Sequence, residues 1–460
     1  METNYRKFGF KDKFSYMLGD VGNDLMFFLS SMFLLKFYTD VMGVSAALVG
    51  SMMMISRFVD AFTDVTMGQI VDRAPTKAKG KFVPWLRIVA GPVAIASFLI
   101  YASWFQDMPM GFKVVWMFVT YLLWGSVFYT AINIPYGSMA SAITADPKER
   151  AELSSWRAIG AQLAITVVGV ILPMVVYYTN DEGLKVLSGT RVTVVAGILS
   201  VLSIICYFIC YHMTIERVKL PSNNKKFSLS DLLKSLVTNK ALIGIVVASL
   251  LLLLGQLSFS NMQTYIYPNY FGNTAALSMT NLVQTILTLG CATFVVALSA
   301  KFGRKNLAVF SAAFQAVCFV VLYFLKTDNV WLFTGIYLVS TLGAAVFSLI
   351  TWAMITDVID DTEVVTGERS DGTIYSIYSF ARKLGQGCSS GLAGAMLTAI
   401  GYTQATAFDK NVLSGIYDIT CIVPAASYIL LTLALIFLYP LSKKRVEANA
   451  AELAKRREAE

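Results

Sequence analysis

Histidine is almost missing from this chain: His212 is the single one in 460 residues. Histidine is the side chain that most often moves protons near neutral pH and binds zinc, so its scarcity removes much acid–base and metal chemistry from consideration. The six cysteines, Cys206, Cys210, Cys291, Cys318, Cys388 and Cys421, all fall in apolar stretches. Cys206 and Cys210 are one helical turn apart, but no histidine or acid joins them. They read as small core residues and imply neither a disulfide nor a metal site. There is no nucleophile elbow and no glycine-rich phosphate loop in a strand–helix setting, so a membrane enzyme has no catalytic cluster to rest on. Charge is scarce too, at 14% of residues, against roughly 25% in ordinary soluble domains. No cleavable leader is expected. The apolar segment behind Arg6, Lys7, Lys11 and Lys13 is too long for one and lacks a small-residue cleavage pattern.

What the chain has in abundance is apolar length. Hydrophobic residues make up 56%, and mean hydropathy is +0.62. Segments near the ~20 residues that cross a hydrocarbon core recur from end to end. They predict an all-α membrane protein with twelve transmembrane helices, at about 14–40, 44–71, 83–105, 111–143, 155–179, 190–213, 240–267, 273–300, 306–327, 329–357, 372–401 and 412–441. The net charge of +8 is a topology signal and does not point to nucleic acid. Most of the 37 Lys and Arg sit on one side: in the N-terminal tail, around Arg73 to Lys81, from Arg217 to Lys240, from Lys301 to Lys305, and from Lys443 to Arg457. The opposite loops carry little beyond Lys185, Arg191 and Lys410. By the positive-inside rule, both termini are expected to be cytoplasmic.

The longest polar break, 214–239, divides the spans six and six. It separates an N-terminal half (1–213) from a C-terminal half (240–441), with a charged tail at 442–460. Within the break, Ser230 can cap a short amphipathic piece with Leu232, Leu233 and Leu236 on one face. A weak internal repeat supports the division. Gly68 to Arg73, with a Lys/Gly run, follows the second span, and Lys301 to Lys305 follows the eighth. Equivalent positions in two six-span halves are what a parallel-repeat transporter predicts.

Charge inside the spans carries the chemistry. Arg57, Asp60 and Asp64 lie three and four residues apart in the second span and share one helix face. An intramembrane charge costs roughly 2.5–3.5 kcal/mol even on a mild scale, so such residues are rarely idle. Two acids on one face can share a proton or hold a small cation such as Na+. Asp20 and Asp24 lie in the first span, while no acid lies deep in any span of the second half. Structural ion pairs, Arg57 with Asp60 and Asp20 or Asp24 with Lys383, are the alternative. Thr130 and Asn133 in the fourth span offer neutral oxygens that fit around the same cation, or else bridge helices by hydrogen bonds. Arg157, opening the fifth span, has donors suited to vicinal hydroxyls or a carboxylate, or else snorkels to the interface. In the eleventh span Tyr375, Tyr378, Ser379, Arg382, Lys383 and Gln386 cover much of one face, and Gln256, Asn261, Gln263 and Tyr265 occupy the seventh. Aromatic rings and amides of this kind suit a sugar pocket. Asn23, beside Asp24, joins the candidate sugar contacts.

The stretch from Arg57 through Asp60, Ala61 and Asp64 to Gly68 resembles the second-helix signature of the glycoside–pentoside–hexuronide:cation symporters, the melibiose permease group of the major facilitator superfamily. Asp72-Arg73, Gly80 to Trp85, Asn133 to Ser138, Trp156-Arg157, Asp357, Thr366 to Arg369 and Lys383 to Gly385 fit the same pattern across the whole chain. The resemblance implies that Asp60 and Asp64, helped by Thr130, bind the coupling cation. It also implies that Asp24 and Arg157 hold the sugar, that Tyr129 lines that pocket, and that Lys383 links the halves. Melibiose-type members have an aspartate where this chain has Asn133 and a tryptophan at Gly137, which turns the expectation towards a pentoside, β-glycoside or hexuronide.

The function these residues lead us to expect is a symporter that imports a sugar with Na+ or H+ across the bacterial plasma membrane and needs no cofactor. Its partners are the sugar, the cation and the bilayer. Asp72 with Arg73, and Asp357 with Arg369, are the expected gating pairs on the inner loops. A lipid or amphiphile carrier on the same fold, or a sugar sensor that does not transport, are the alternatives.

Overall fold

The computed structural model describes residues 6–218, 239–367 and 371–459. Ser230, Leu232, Leu233, Leu236 and Arg369, which bear on the expected linker helix and one gating pair, lie outside these ranges. In chain order the helices are α1 (Phe10–Asp40), α2 (Ala46–Arg73), α3 (Val83–Ile100), α4 (Met110–Ile143), α5 (Pro147–Val176), α6 (Gly189–Met213), α7 (Lys240–Tyr270), α8 (Thr274–Phe302), α9 (Arg304–Leu325), α10 (Val330–Thr366), α11 (Asp371–Ala399), α12 (Lys410–Phe437) and the charged α13 (Lys443–Ala459). Eleven of them are long and apolar enough to cross a membrane. The helix α11 has the length, 29 residues, but is not among these eleven.

Local chemistry sets the helix starts. Asn239, Asn273 and Asn329 each accept a backbone amide of the first turn, at 3.0, 3.0 and 2.9 Å, which satisfies donors the helix itself cannot. Asp146 does the same for Lys148 at 2.8 Å, with Pro147 following it. One element departs from the all-helical expectation. Strands β1 (Tyr177–Thr179) and β2 (Lys185–Leu187) pair antiparallel after α5. Asn180 folds the turn by accepting from the amides of Glu182 and Leu184, and Gly183 takes φ +79°.

The chain divides into two compact units, Met1–Lys225 with Tyr402–Ala407, and Lys226–Gly401 with Phe408–Glu460. Each unit repeats one packing scheme. In the first, α1 packs on α5 and α6, α3 on α6, and α2 on α4. In the second, α7 packs on α11 and α12, α9 on α12, and α8 on α10. Glycine lets the backbones approach. A Cβ at Gly160 of α5 would sit 2.7 Å from the Met17 carbonyl of α1, and one at Gly343 of α10 would sit 2.7 Å from the Ser311 carbonyl of α9. In the first unit the buried ammonium of Lys36 is satisfied by Asp40 at 2.7 Å and by Tyr402 Oη at 2.8 Å.

The basic end of each unit is tied by a residue that follows its last span. Glu216 accepts the backbone amides of Lys81, Phe82 and Val83 at 2.8, 2.7 and 2.7 Å, holding the start of α3. Nearby, Asp12 gathers Arg6 at 2.8 Å and Arg217 at 3.0 Å. In the second unit Lys443 donates to the Ala300 carbonyl at 2.8 Å at the end of α8, and Asp361 takes Arg445 through two bonds of 2.8 and 2.9 Å.

Candidate functional site

Two carboxylates on α2 face two hydroxyls on α4. Ser126 Oγ donates to Asp60 Oδ1 at 2.6 Å, and Thr130 Oγ1 donates to Asp64 Oδ1 at 2.9 Å. Both steps are four residues, so the pairs form adjacent rungs between the helices. The helix α4 makes this register with a π-helical segment, Leu123–Tyr129, which contains Ser126 and ends just before Thr130. The wider turn lets Thr130 Oγ1 also reach the Gly125 carbonyl, at 3.4 Å. Arg57 Nη1 holds the other oxygen of Asp60 at 3.0 Å, and its guanidinium lies 5.5 Å from the Phe27 ring centre. Asp60 is 5% exposed, so its charge depends on these partners. The sequence pointed to Asp60, Asp64 and Thr130 but missed Ser126. A serine within a span is common, and only the π-helical register distinguishes this one.

Asn133 goes elsewhere. Its Oδ1 is 3.5 Å from Asn23 Nδ2 of α1, and Asn23 Oδ1 accepts from Tyr207 Oη of α6 at 2.8 Å. This chain of polar side chains joins α4, α1 and α6, and none of Asn133's hydrogen bonds runs to the α2 acids.

A second charged set lies between α1 and α5. Arg157 Nε donates to Asp20 Oδ1 at 2.8 Å, with its guanidinium 5.4 Å from the Tyr136 ring centre. Tyr136 is anchored through its hydroxyl to the Tyr16 carbonyl at 2.6 Å and stacks on the Tyr16 ring. The structure pairs Arg157 with Asp20, one turn before Asp24, the acid expected to hold the sugar together with Arg157. Asp24 has no hydrogen bond or ion pair among the described residues. The Arg157 side chain is 42% exposed and keeps donors available. A Cβ at Gly137 would lie 3.9 Å from Arg157 Nη1, so the glycine leaves that guanidinium uncovered. Tyr129 packs against Phe27 and Trp124, with ring centres 6.2 and 5.5 Å away.

In the second unit, Arg382 of α11 lies over Trp352 of α10 at 5.6 Å, and Tyr378 meets the same indole edge-on at 5.4 Å. Ser379 and Lys383 are half-buried on the same helix. Trp352 was not singled out by sequence, because an aromatic residue in an apolar span carries no signal of its own.

Of the expected gating residues, Asp72, Arg73 and Asp357 fall within the described residues, and Arg369 does not. Asp72 lies 4.0 Å from Lys81 Nζ, which also donates to the Asp72 carbonyl at 2.8 Å. Arg73 is exposed. Asp357 pairs with Arg304.

Helices packed in two repeating units with charged sets inside them define a membrane transporter of the major facilitator fold. A solved bacterial homologue of the iron transporter ferroportin, in an inward-facing state, matches with a TM-score of 0.68 at 12% identity, over 94% of this chain and 98% of that one. At that identity the likeness is one of fold alone. The family described as MFS/sugar transport protein matches residues 15–443, and the chain belongs to it. Among its relatives are the glucuronide carrier protein homolog of Escherichia coli (strain K12), 30% identical over 96% of this chain and 95% of that protein, and the isoprimeverose transporter of Lactiplantibacillus pentosus, 31% identical over 93% and 88%. The resemblance to the glycoside–pentoside–hexuronide symporters is thus borne out. The family is one of multi-pass membrane transporters rather than enzymes.

Proposed function

We propose that this protein is a secondary active symporter that imports a sugar with Na+ or H+ by alternating access. In this reading it has twelve spans, α11 included, and both termini are cytoplasmic. The observation that carries the reading is the paired register of Asp60–Ser126 and Asp64–Thr130 in the same half as Asp20, Asp24 and Arg157. The α2–α4 rungs offer carboxylate and hydroxyl oxygens to a cation, as Na+ requires, or a protonatable acid, as H+ requires. Asp24 and the uncovered donors of Arg157 suit the hydroxyls or carboxylate of a sugar. Tyr129, Asn23 and Asn133 border that position from α4 and α1, and Tyr378, Ser379, Arg382 and Lys383 are the contributions expected from α11. Relatives named for a glucuronide and for isoprimeverose support an anionic or pentose-containing sugar as substrate. Cation binding at Asp60 and Asp64 offsets their mutual repulsion and favours the arrangement of α1, α2 and α4 that binds sugar.

The test is uptake into proteoliposomes across a panel of glycosides, pentosides and uronides, under an imposed Na+ gradient or an imposed pH gradient. Accumulation driven by one gradient identifies the ion and the substrate class together. Sugar binding without accumulation under either gradient overturns the symporter and favours a sensor.

A further inference from the structure

A cavity of about 590 Å³ opens where α2 ends and α3 begins, apart from both charged sets. One side of it is basic, with Arg73, Lys77 and Lys81, and the other is apolar, with Ile70, Trp85 and Ile88. No acidic residue lines it. Two neighbouring acids are already engaged: Asp72 faces Lys81 at 4.0 Å, and Glu216 is taken up by three backbone amides of the α3 start. Arg73 and Lys77 have no ion-pair partner among the described residues. Ile70 and Ile88 are 49% and 55% exposed on spanning helices, as side chains facing acyl chains would be. Trp85 lies at the level where α3 begins, and an indole favours the membrane–water boundary.

We propose that this cavity binds the phosphate headgroup of an anionic phospholipid. Arg73 and Lys77 neutralise the phosphate, Lys81 stands behind them, and the acyl chains run down Ile70 and Ile88. Basic pockets at the ends of spanning helices bind such headgroups through charge-assisted hydrogen bonds. Inorganic phosphate or a sugar phosphate shares the anionic chemistry but has nothing to cover the apolar side, which favours the lipid. The headgroup site itself stands whichever sugar or ion is transported. That the headgroup belongs to the cytoplasmic leaflet follows only from the topology proposed above.

The experiment is native mass spectrometry of the full chain in neutral detergent, titrated with phosphatidylglycerol or phosphatidylcholine. Phosphatidylglycerol should bind in clear preference. Its affinity should fall roughly fivefold in Lys77→Gln and roughly 25-fold in Arg73→Gln/Lys77→Gln, from the strength of one basic residue near a membrane surface. Lys185→Gln, on the distant hairpin, should bind as the wild type does, and excess inorganic phosphate should not displace the lipid. Equal phosphatidylglycerol affinity in the wild type and the double variant overturns the proposal, as does equal affinity for the two lipids. Displacement by inorganic phosphate at matched concentration would make this a soluble-anion site and also overturn it. Lys77 is exposed and makes no side-chain hydrogen bond among the described residues, so the single variant carries the test if the double variant does not fold.

Discussion

The two units share a packing scheme and differ in what they enclose. Within the first, Asp20, Asp60 and Asp64 each accept from a named partner: Arg157, Ser126 with Arg57, and Thr130. The second keeps its buried acids, Asp357 and Asp361, paired with Arg304 and Arg445, and neutral groups join α7, α8 and α10. Tyr337 Oη donates to Gln284 at 3.1 Å, Thr280 and Thr334 each lie 3.0 Å from Tyr267 Oη, and Phe259 stacks on Tyr337 with ring centres 4.0 Å apart. Neutral hydrogen bonds contribute about 1 kcal/mol each, are insensitive to ions, and fix geometry. A buried carboxylate responds to any cation that reaches it. One packing scheme repeated in two units thus carries partnered carboxylates in the first and aromatic and amide surface in the second; in the symport reading proposed above, ion coupling falls to the first unit.

That contrast can be broken most severely at Asp60. Asp60→Asn should abolish gradient-driven accumulation, a loss of roughly two orders of magnitude or more, while leaving some sugar binding. Uptake against a gradient, compared with sugar binding in detergent, checks this, and full accumulation by the variant removes Asp60 from coupling. Next in size is Arg157→Gln, which deletes charge-assisted bonds of about 1.5–3 kcal/mol. Sugar affinity by calorimetry should fall roughly 10- to 100-fold, and the orphaned Asp20 should lower the melting temperature. Ser126→Ala removes one hydroxyl from Asp60 and should weaken the coupling ion about fivefold, read as a shift in the ion concentration that half-saturates uptake. An unchanged ion dependence would separate Ser126 from the cation. The smallest effect belongs to the second unit. Tyr337→Phe should lower stability by about 1 kcal/mol, seen as a small drop in melting temperature, with ion dependence unaltered. A changed ion dependence there would end the division of labour between the units. At the membrane edge, Asp72→Asn should alter transport rate more than sugar affinity.

Much of this was legible without coordinates. Each of the spans expected from apolar length corresponds to a helix, because a segment that must satisfy its own backbone in lipid has little choice but to be helical. The α2 face of Arg57, Asp60 and Asp64 followed from spacing alone. Other features were not legible. Asp20 and Asp24 are both acids in one span, and only the approach of α5, permitted by Gly160 against Met17, selects Asp20 for Arg157. Asn133 was expected beside the α2 acids, yet it turns to Asn23. Glu216 lies in the polar break, and its place at the α3 start depends on where the end of α6 meets the loop after α2.

The sequence by itself determined the class of protein, the spans, the basic and neutral loop sets, and the residues with chemistry to offer. These depend on solvation and helical period, which are properties of a single segment. The tertiary structure decided the partners: Ser126 for Asp60, Thr130 for Asp64, Asp20 for Arg157, Arg304 for Asp357. A hydrogen bond needs two groups within about 3 Å, and when they lie on different helices that distance is set by backbone packing and by the π-helical register of α4.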